Sequence, residues 1–291
     1  MTKKFKKWSS LNQFHEVKKG LNYPKIWSAL KANSFKIPYG FKVKLHGTNA
    51  CVRIESDGKV VPQKRSSDVP CDIGMTAHFG FSSWVADNES YFSSLAKSDR
   101  SVYVYGEWCG KGVQQSVACS ETDTKHFYVF AIDEVLDHTG LLTRHYEPSD
   151  IEAMLGEKAP NNLIVIPWHM HMEFDFESSE EVKKQLVVLN SKVEKIGEKD
   201  PLINELFGID GAGEGLVAYP LLGAEVGQYQ HDEEFFNWFN FKAKSEHHRV
   251  NKTKTAVQFD PDKFAESKPL PITTLPKTAY CRDSANRLVV S

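Results

Sequence analysis

Short runs of β-branched and aromatic residues recur along this chain, and Gly, Pro or Asp residues bound each of them. Runs of this kind predict short strands. The most constraining run spans residues 41–55. The polar turn 46–49 interrupts it, and Ser56-Asp57-Gly58 then predicts a hairpin into the next strand at residues 60–61. Further strands are predicted at residues 101–106, 126–132, 163–166, 215–219 and 238–243.

Helical signals are fewer and follow no fixed rhythm with the strands. Ser178 and Glu181 have the spacing of a capping box, and apolar residues then recur on one helical face as far as Ile196, with Pro201 beyond the predicted end. A second helix is predicted over residues 149–155. Because strands and helices do not alternate as in βαβ units, we expect an α+β fold with antiparallel sheets.

The composition excludes several classes of protein. With 291 residues, 41% of them hydrophobic and 25% charged, the chain resembles a soluble globular protein rather than a disordered one. No run approaches the roughly eighteen apolar residues of a membrane span, and the basic N-terminus lacks the apolar core of a signal peptide. The five cysteines form no CxxC pair. We therefore expect a reduced, intracellular protein of the cytoplasm.

Charge is distributed unevenly along a chain whose formal net charge is only −2. Residues 1–44 hold eleven lysines and one acid, whereas residues 173–214 hold eleven acids and five lysines. Residues 241–254 are basic again. Positive charge gathered in two segments favours a local site for a polyanion, although a solvated lysine-rich face would give the same pattern.

The stretch Lys44-Leu45-His46-Gly47-Thr48-Asn49 carries the clearest chemical signal. Its lysine ends a predicted strand, so the amine would be held at a fixed point beside a turn. A lysine there is a nucleophile once burial or nearby positive charge lowers its pKa. On spacing alone, a surface lysine before a turn is the simpler interpretation.

Other segments supply the parts of a nucleotide site. Glu107 lies at another predicted strand end, residues 126–130 form an aromatic strand, and Glu214 precedes a strand. Lys242 and Lys244 are two residues apart, which places them on one face of a strand. A bound nucleotide needs cations for its phosphates, an aromatic face for its base and carboxylates for its ribose hydroxyls and metal.

In this order, these segments resemble the covalent nucleotidyltransferase superfamily of polynucleotide ligases and mRNA capping enzymes. The chain is most similar to the RNA ligase 2-like family of phage and RNA-editing ligases. The superfamily's nucleophile motif is KxDG, and the form KLHGTN at residues 44–49, with His46 in place of Asp, looks like the RNA ligase 2 form. Residues 5–11, FKKWSSL, are similar to the start of that family, and the resemblance covers roughly residues 5–255.

The resemblance implies a role for each matching residue. Lys44 would attack the α-phosphate of ATP and carry AMP covalently, and the backbone at Leu45 would meet the adenine edge. Asn49 matches the family's essential asparagine beside the reacting groups. Arg65 would lie near the ribose and the incoming 5′-phosphate. Glu107 would accept a hydrogen bond from a ribose hydroxyl.

It also implies the remaining contacts. Phe130 would stack on adenine, with Tyr128 on the same strand as the alternative. Glu214 would hold Mg²⁺ or Mn²⁺, largely through its water shell, and Lys242 and Lys244 would grip the α-phosphate. The aromatic motif usually ends in Phe-Asp, whereas Ala131 follows Phe130 here, with Asp133 two residues on. Val43 also stands where the phage enzymes commonly have an acid.

The implied fold is a ligase adenylation domain, with antiparallel sheets flanked by helices and a nucleotide pocket between the sheets. We assign it to residues 1–245. Residues 246–291 are expected to be a short basic and Pro-containing extension, which includes the extended segment 268–277, rather than a full C-terminal ligase domain. A protein partner would then supply the function of that domain.

The leading interpretation is an ATP-dependent RNA ligase that joins 3′-hydroxyl and 5′-phosphate RNA ends through lysyl-AMP. Its partners would be RNA ends, including nicked duplex RNA or an RNA–DNA hybrid, with no membrane, in the cytoplasm or in the host cytoplasm if a phage encodes it. A DNA ligase or a capping-type nucleotidyltransferase is the first alternative, and His46 argues against both. The second is a non-catalytic homologue that binds nucleic-acid ends. Retention of Lys44, Glu214, Lys242 and Lys244 argues against it.

Overall fold

The computed structural model of the chain describes residues 5–21, 30–31, 34–70, 77–221, 233–249, 280–282 and 288–290. The chain divides into two units, Met1–Phe259 and Asp260–Ser291. In the second unit, Tyr280–Arg282 and Leu288–Val290 form an antiparallel pair. The predicted extended segment 268–277 lies outside the described residues. The boundary expected after residue 245 therefore stays a prediction.

The described part of the first unit contains eleven strands in two sheets. They are β1 (Lys36–Lys44), β2 (Thr48–Ile54), β3 (Val60–Lys64), β4 (Ser67–Asp68), β5 (Arg100–Cys109), β6 (His126–Leu136), β7 (Leu142–His145), β8 (Leu163–Val165), β9 (Met170–Asp175), β10 (Gly215–Pro220) and β11 (Phe241–Lys244). The larger sheet has the order β4-β3-β2-β5-β6-β7, with β8 parallel to β6, and the smaller has the order β11-β10-β1-β9. Every other pairing is antiparallel, which confirms the expected α+β class.

Helices connect and flank the sheets. The described ones are α1 (Phe14–Gly20), α2 (Phe81–Asp87), α3 (Glu89–Ser94), α4 (Pro148–Leu155), α5 (Ser179–Glu198), α6 (Pro201–Phe207), α7 (Glu233–Phe239) and α8 (Glu246–Arg249). None of these helices is both long and apolar enough to cross a membrane.

The predicted helix boundaries are mostly close to the observed ones. Ser178 caps α5 by accepting a hydrogen bond from the Glu181 N–H at 3.2 Å, as its spacing predicts. Pro201 does more than follow that helix, because it starts α6, which Asp200 caps. The strand predicted over residues 238–243 begins too early, since Trp238 still belongs to α7 and β11 starts at Phe241.

Two apolar cores result from this arrangement. One combines residues of both sheets, such as Val43 and Val217 of the smaller sheet and Tyr105 and Tyr128 of the larger. The other lies on the opposite face of the larger sheet, where α2, α3 and α4 contribute Phe81, Phe92 and Ile151. Alternation along β5 and β6 places successive side chains in the two cores. The face shared by the two sheets is where the pocket was expected.

Candidate active site

A cleft of about 1070 Å³ lies between the two sheets. It is lined by all nine residues to which the sequence resemblance gives a role: Lys44, Leu45, Asn49, Arg65, Glu107, Phe130, Glu214, Lys242 and Lys244. Residues far apart in sequence are therefore gathered by the ends of β1, β2, β3, β5, β10 and β11 and by the interior of β6.

The loop after β1 is tightly constrained at Gly47. A Cβ atom at this position would lie 2.4 Å from both the Cys109 sulfur and the Trp108 carbonyl oxygen, so no side chain fits. The Gly47 N–H donates a hydrogen bond to the Glu107 carboxylate at 3.1 Å. The glycine thus lets the loop pack directly on β5, which fixes the position of Lys44 at the end of β1.

Lys44 lies beside a buried carboxylate. Its Nζ is 2.7 Å from Glu214 Oε2, and Lys244 Nζ is 2.5 Å from the other oxygen, Oε1. Glu214 is almost fully buried, and burial alone would raise the pKa of its carboxyl. A hydrogen bond from His46 and the charges of Lys44 and Lys244 outweigh that effect and hold the pKa of Glu214 well below its usual range. This carboxylate is therefore ionised near neutral pH.

Two histidines extend this cluster. His46 Nδ1 is 3.5 Å from Glu214 Oε2, and His248 Nε2 is 3.6 Å from Oε1. Potential ligand atoms of His46, Glu214 and His248 all lie within 4.8 Å of one another, close enough for one metal ion. The carboxylate suits Mg²⁺ or Mn²⁺, and the imidazoles favour transition metals over Mg²⁺. The donor set therefore fits a divalent cation.

Glu107 and Asn49 face each other across paired strands. They are direct partners in the register of β2 and β5. Burial raises the pKa of Glu107 to about 7, although the charge of Lys44 and the Gly47 N–H oppose that shift. Burial thus favours the protonated form of Glu107, in contrast to the ionised Glu214.

The remaining cations surround the cleft at its polar end. Burial, followed by the charges of Lys244, Lys44 and Arg65, lowers the pKa of Lys242. Arg65 is exposed at the turn after β3, and its Nη2 donates a hydrogen bond to Ser10 Oγ at 3.1 Å. Lys44, Lys242, Lys244 and Arg65 together outnumber the carboxylates Glu107 and Glu214 in the lining, so this end of the cleft is suited to phosphate.

Phe130, rather than Tyr128, borders the cleft. The register between β5 and β6 shifts after Tyr105, so β6 bulges at this point. Both aromatic side chains belong to the inter-sheet core, but Tyr128 is fully buried whereas Phe130 reaches the cleft beside Trp8, whose ring centroid is 5.0 Å away. Of these two rings, only that of Phe130 lines the cleft.

Asp133, two residues after the Ala131 that replaces the usual aspartate, lies outside the cleft lining. It is fully buried and accepts two hydrogen bonds of 2.7 Å from Arg144, with Lys6 Nζ 3.5 Å away. Its partners make it part of a structural ion cluster.

Sequence reasoning overlooked several residues of this cleft. Trp8, Lys42 and His248 line it without having been assigned a role there. A signal existed for Lys42, because it is two residues before Lys44 on the same strand and must share its face. His248 had no local signal, since only the return of the chain after β11 brings it to Glu214.

Comparison with known proteins supports this picture. The family model for RNA ligase matches residues 38–221. No curated protein matches the chain. Among solved structures, an apo mutant of a Naegleria gruberi RNA ligase is similar with a TM-score of 0.50 and 16% identity, over 83% of this chain and 56% of that chain. A mutant of that ligase with AMP and Mn gives a TM-score of 0.50 and 15% identity over the same shares.

The chain spans 56% of the length of these ligases, and identity this low shows a common fold alone. The family match is stronger evidence, because it extends from near the start of β1 to just past the end of β10 and so includes most of the cleft strands. On that match, the chain belongs to the RNA ligase family.

Proposed function

We propose that this protein is an ATP-dependent RNA ligase of the RNA ligase 2 type, with Lys44 as its nucleophile. The observation that carries the proposal is the cluster at the end of β1, where Lys44 Nζ is 2.7 Å from the buried Glu214 and the cations Arg65, Lys242 and Lys244 line the same cleft. A lysine fixed beside a phosphate-binding surface is suited to attack on a phosphorus atom.

The reaction would proceed in three steps. Deprotonated Lys44 Nζ attacks the α-phosphorus of ATP, so a P–N bond forms and pyrophosphate leaves. The 5′-phosphate of an RNA end then attacks that phosphorus, which frees Lys44 and gives a 5′-adenylylated end. Finally a 3′-hydroxyl attacks the 5′-phosphate, forms the phosphodiester and releases AMP.

The chain's own residues would assist each step. Lys242, Lys244 and Arg65 would neutralise phosphate charge that grows as pyrophosphate leaves. Glu107 would position the ribose, Asn49 the reacting groups, and Phe130 with the Leu45 backbone the adenine. Glu214 would hold a divalent cation with the imidazoles of His46 and His248, and that cation would supply further charge neutralisation.

The test begins with α-³²P-labelled ATP and either Mg²⁺ or Mn²⁺. The proposal expects a covalent AMP adduct on the intact protein, lost in Lys44→Ala, and label from GTP would instead favour a capping-type enzyme. A second assay compares single-stranded RNA, nicked duplex RNA, an RNA–DNA hybrid and nicked DNA. Sealing of DNA alone would favour the DNA ligase alternative, and no adduct with any nucleotide would favour a non-catalytic homologue.

A further inference from the structure

Two buried cysteines meet beneath the loop that follows Lys44, and the proposed reaction uses neither of them. Cys109 is the last residue of β5, and Cys119 lies in the short 3₁₀ turn Ala118–Ser120. Both carry free thiols, and the residues are 0% and 2% exposed. A hydrogen bond joins the two thiols. Residues 110–118 thus form a loop whose two ends are held together by a contact between sulfurs.

Both sulfurs touch the loop that carries the nucleophile motif. The Cys119 thiol donates a hydrogen bond to the His46 carbonyl oxygen at 3.5 Å. The Cys109 sulfur lies against Gly47, in the space that a Cβ atom on the glycine would need. His46 and Gly47 in turn contact the two carboxylates of the cleft. A displacement of either sulfur is therefore passed on to the site.

The loop between the two cysteines forms one wall of the cleft. Residues 112–117 all line it. Within this wall, Gln114 Nε2 donates a hydrogen bond to the Gly47 carbonyl oxygen at 3.2 Å. At the end of the wall, the Ala118 N–H donates to the Ala212 carbonyl oxygen at 2.9 Å. The position of the wall therefore depends on the two ends of the loop, where the cysteines lie.

The thiols are protected as long as this wall is closed. Burial raises the pKa of the Cys109 thiol, and cysteines react with oxidants as thiolates that solvent can reach. Oxidation therefore requires the wall to open, which local fluctuations allow without unfolding of the whole domain. Cys119 follows Val117, the last residue of the wall, by two positions, so opening exposes Cys119 first.

We propose that Cys109 and Cys119 form a reversible disulfide that switches the nucleotide site off in the presence of a peroxide. When the wall opens, the Cys119 thiolate attacks the O–O bond of hydrogen peroxide, which gives a sulfenic acid and, once the leaving hydroxide is protonated, water. The Cys109 sulfur then attacks the sulfenic sulfur, and the S–S bond forms as a second water leaves. Two electrons pass from the sulfurs to the peroxide, and a dithiol reductant reverses the reaction. This inference rests on the proposed function, because it takes the cleft as the nucleotide site.

The disulfide changes the site in two ways. It removes the thiol hydrogen that the His46 carbonyl oxygen accepts. It also draws the two sulfurs closer than a contact between thiols allows, so the end of β5 and the 118–120 turn shift beneath Gly47, which has no spare room. A misplacement of about 1 Å slows a reaction on the order of 10²-fold. We expect a loss of this size in the rate at which the AMP adduct forms.

The experiment treats the whole protein with hydrogen peroxide in EDTA and maps the products by mass spectrometry. The expected product has lost two hydrogen atoms and links the Cys109 peptide to the Cys119 peptide. After removal of the peroxide it should form the AMP adduct on the order of 10²-fold more slowly than the reduced protein, and dithiothreitol should restore the rate. ATP added during oxidation should slow formation of the link, because the coupling between binding and oxidation is reciprocal.

Single variants identify the sulfurs responsible. Cys109→Ala and Cys119→Ala each remove one sulfur, so neither should form the link, and the rate of each should be the same before and after the peroxide treatment. Having both variants covers the case in which one fails to fold. Cys51→Ala, at a buried cysteine of β2 in the same inter-sheet core, is the matched control and should keep the wild-type response.

Two results would overturn the inference. If peroxide produces no link between Cys109 and Cys119, the two thiols only fill the core. If the link forms and the rate of adduct formation is unchanged, it does not control the site. Failure of the proposed function is recognised separately, because the reduced protein would then form no AMP adduct. In that event the affinities of the reduced and the linked protein for ATP are compared by calorimetry, and equal affinities overturn the inference.

Discussion

Two buried carboxylates in this protein have similar partners and different surroundings. Asp133 binds Arg144 at 2.7 Å and Lys6 at 3.5 Å, and Glu214 binds Lys44 at 2.7 Å and Lys244 at 2.5 Å. The Arg144 guanidinium is enclosed between the rings of Trp8 and Phe236, 4.4 Å and 4.6 Å away. Lys44 and Lys244 instead line an open cleft.

The comparison shows that a buried ion cluster does not by itself indicate function. Both carboxylates have two cationic partners and almost no exposure. What differs is access: a ligand can replace Glu214 as the partner of Lys44 and Lys244, whereas nothing can enter between Asp133 and Arg144. We therefore expect changes at the Asp133 cluster to affect stability, and changes at the Glu214 cluster to affect chemistry.

The largest effect is expected for Lys44. Lys44→Ala should abolish formation of the AMP adduct while the melting temperature stays close to that of the wild type, because Glu214 keeps Lys244 and the vacated site is open to water. Lys44→Arg keeps the charge but has no free amine to attack, so it should be equally inactive. Incorporation of label from ATP by either variant, measured on the intact protein, would show that the nucleophile is another residue.

Asp133→Asn should give the largest loss of stability. It leaves Arg144 buried without its counter-charge, which typically costs about 3–5 kcal/mol in the free energy of unfolding. The matched control is Asp99→Asn, which breaks an exposed pair with Arg100 and should have a much smaller effect on the free energy of unfolding. Urea denaturation measures both. Equal, small losses in the free energy of unfolding from the two variants would mean that the Asp133 cluster does not stabilise the fold.

Glu214→Gln is the counterpart in the open cluster. Loss of one preorganised charge should slow adenylylation on the order of 10²-fold or more. Its effect on unfolding should be smaller than that of Asp133→Asn, because water in the cleft can solvate Lys44 and Lys244. A large fall in melting temperature with an unchanged rate would instead make Glu214 a structural residue and remove the distinction between the two clusters.

The sequence predicted the strands of the cleft better than the short helices around it. The strands that build the cleft follow local patterns of β-branched and aromatic residues. Two motif residues could therefore be placed at strand ends: Lys44 is the last residue of β1, and Glu214 directly precedes β10. Their meeting was expected from the resemblance. Most short helices, such as α2 and α3, were not predicted, because tertiary packing rather than periodicity or capping stabilises them.

The partners of individual side chains were harder to predict than the positions of the strands and helices. The lysines near the N-terminus form one basic run in sequence. Lys6, however, is paired with the buried Asp133, so not all of these lysines can be counted as nucleic-acid contacts. The bulge in β6 likewise separates Phe130 from Tyr128. Both facts depend on long-range register, which no local pattern contains.

The smallest predicted effect concerns Glu107, the second carboxylate of the cleft, whose pKa is raised from 4.5 to about 7. Below about pH 4.5 the carboxyl is protonated in both the folded and unfolded states. Between those values the folded state keeps a proton that the unfolded state releases, so this group's contribution to stability is lost as the pH rises through about 7. Glu214 behaves in the opposite way: its lowered pKa gives a contribution present above about pH 4.5 and lost as the pH falls.

Glu107→Gln removes the contribution of Glu107 to the pH dependence of stability and leaves that of Glu214. Relative to this variant, the wild type should be more stable at pH 5 than at pH 8, and the urea midpoints of the two proteins at both pH values measure the difference. Ionisable groups that do not interact with Glu107 titrate alike in both proteins and cancel in the comparison. If the difference between wild type and variant is the same at pH 5 and pH 8, Glu107 is ionised throughout, and the two cleft carboxylates do not differ in the way their surroundings require.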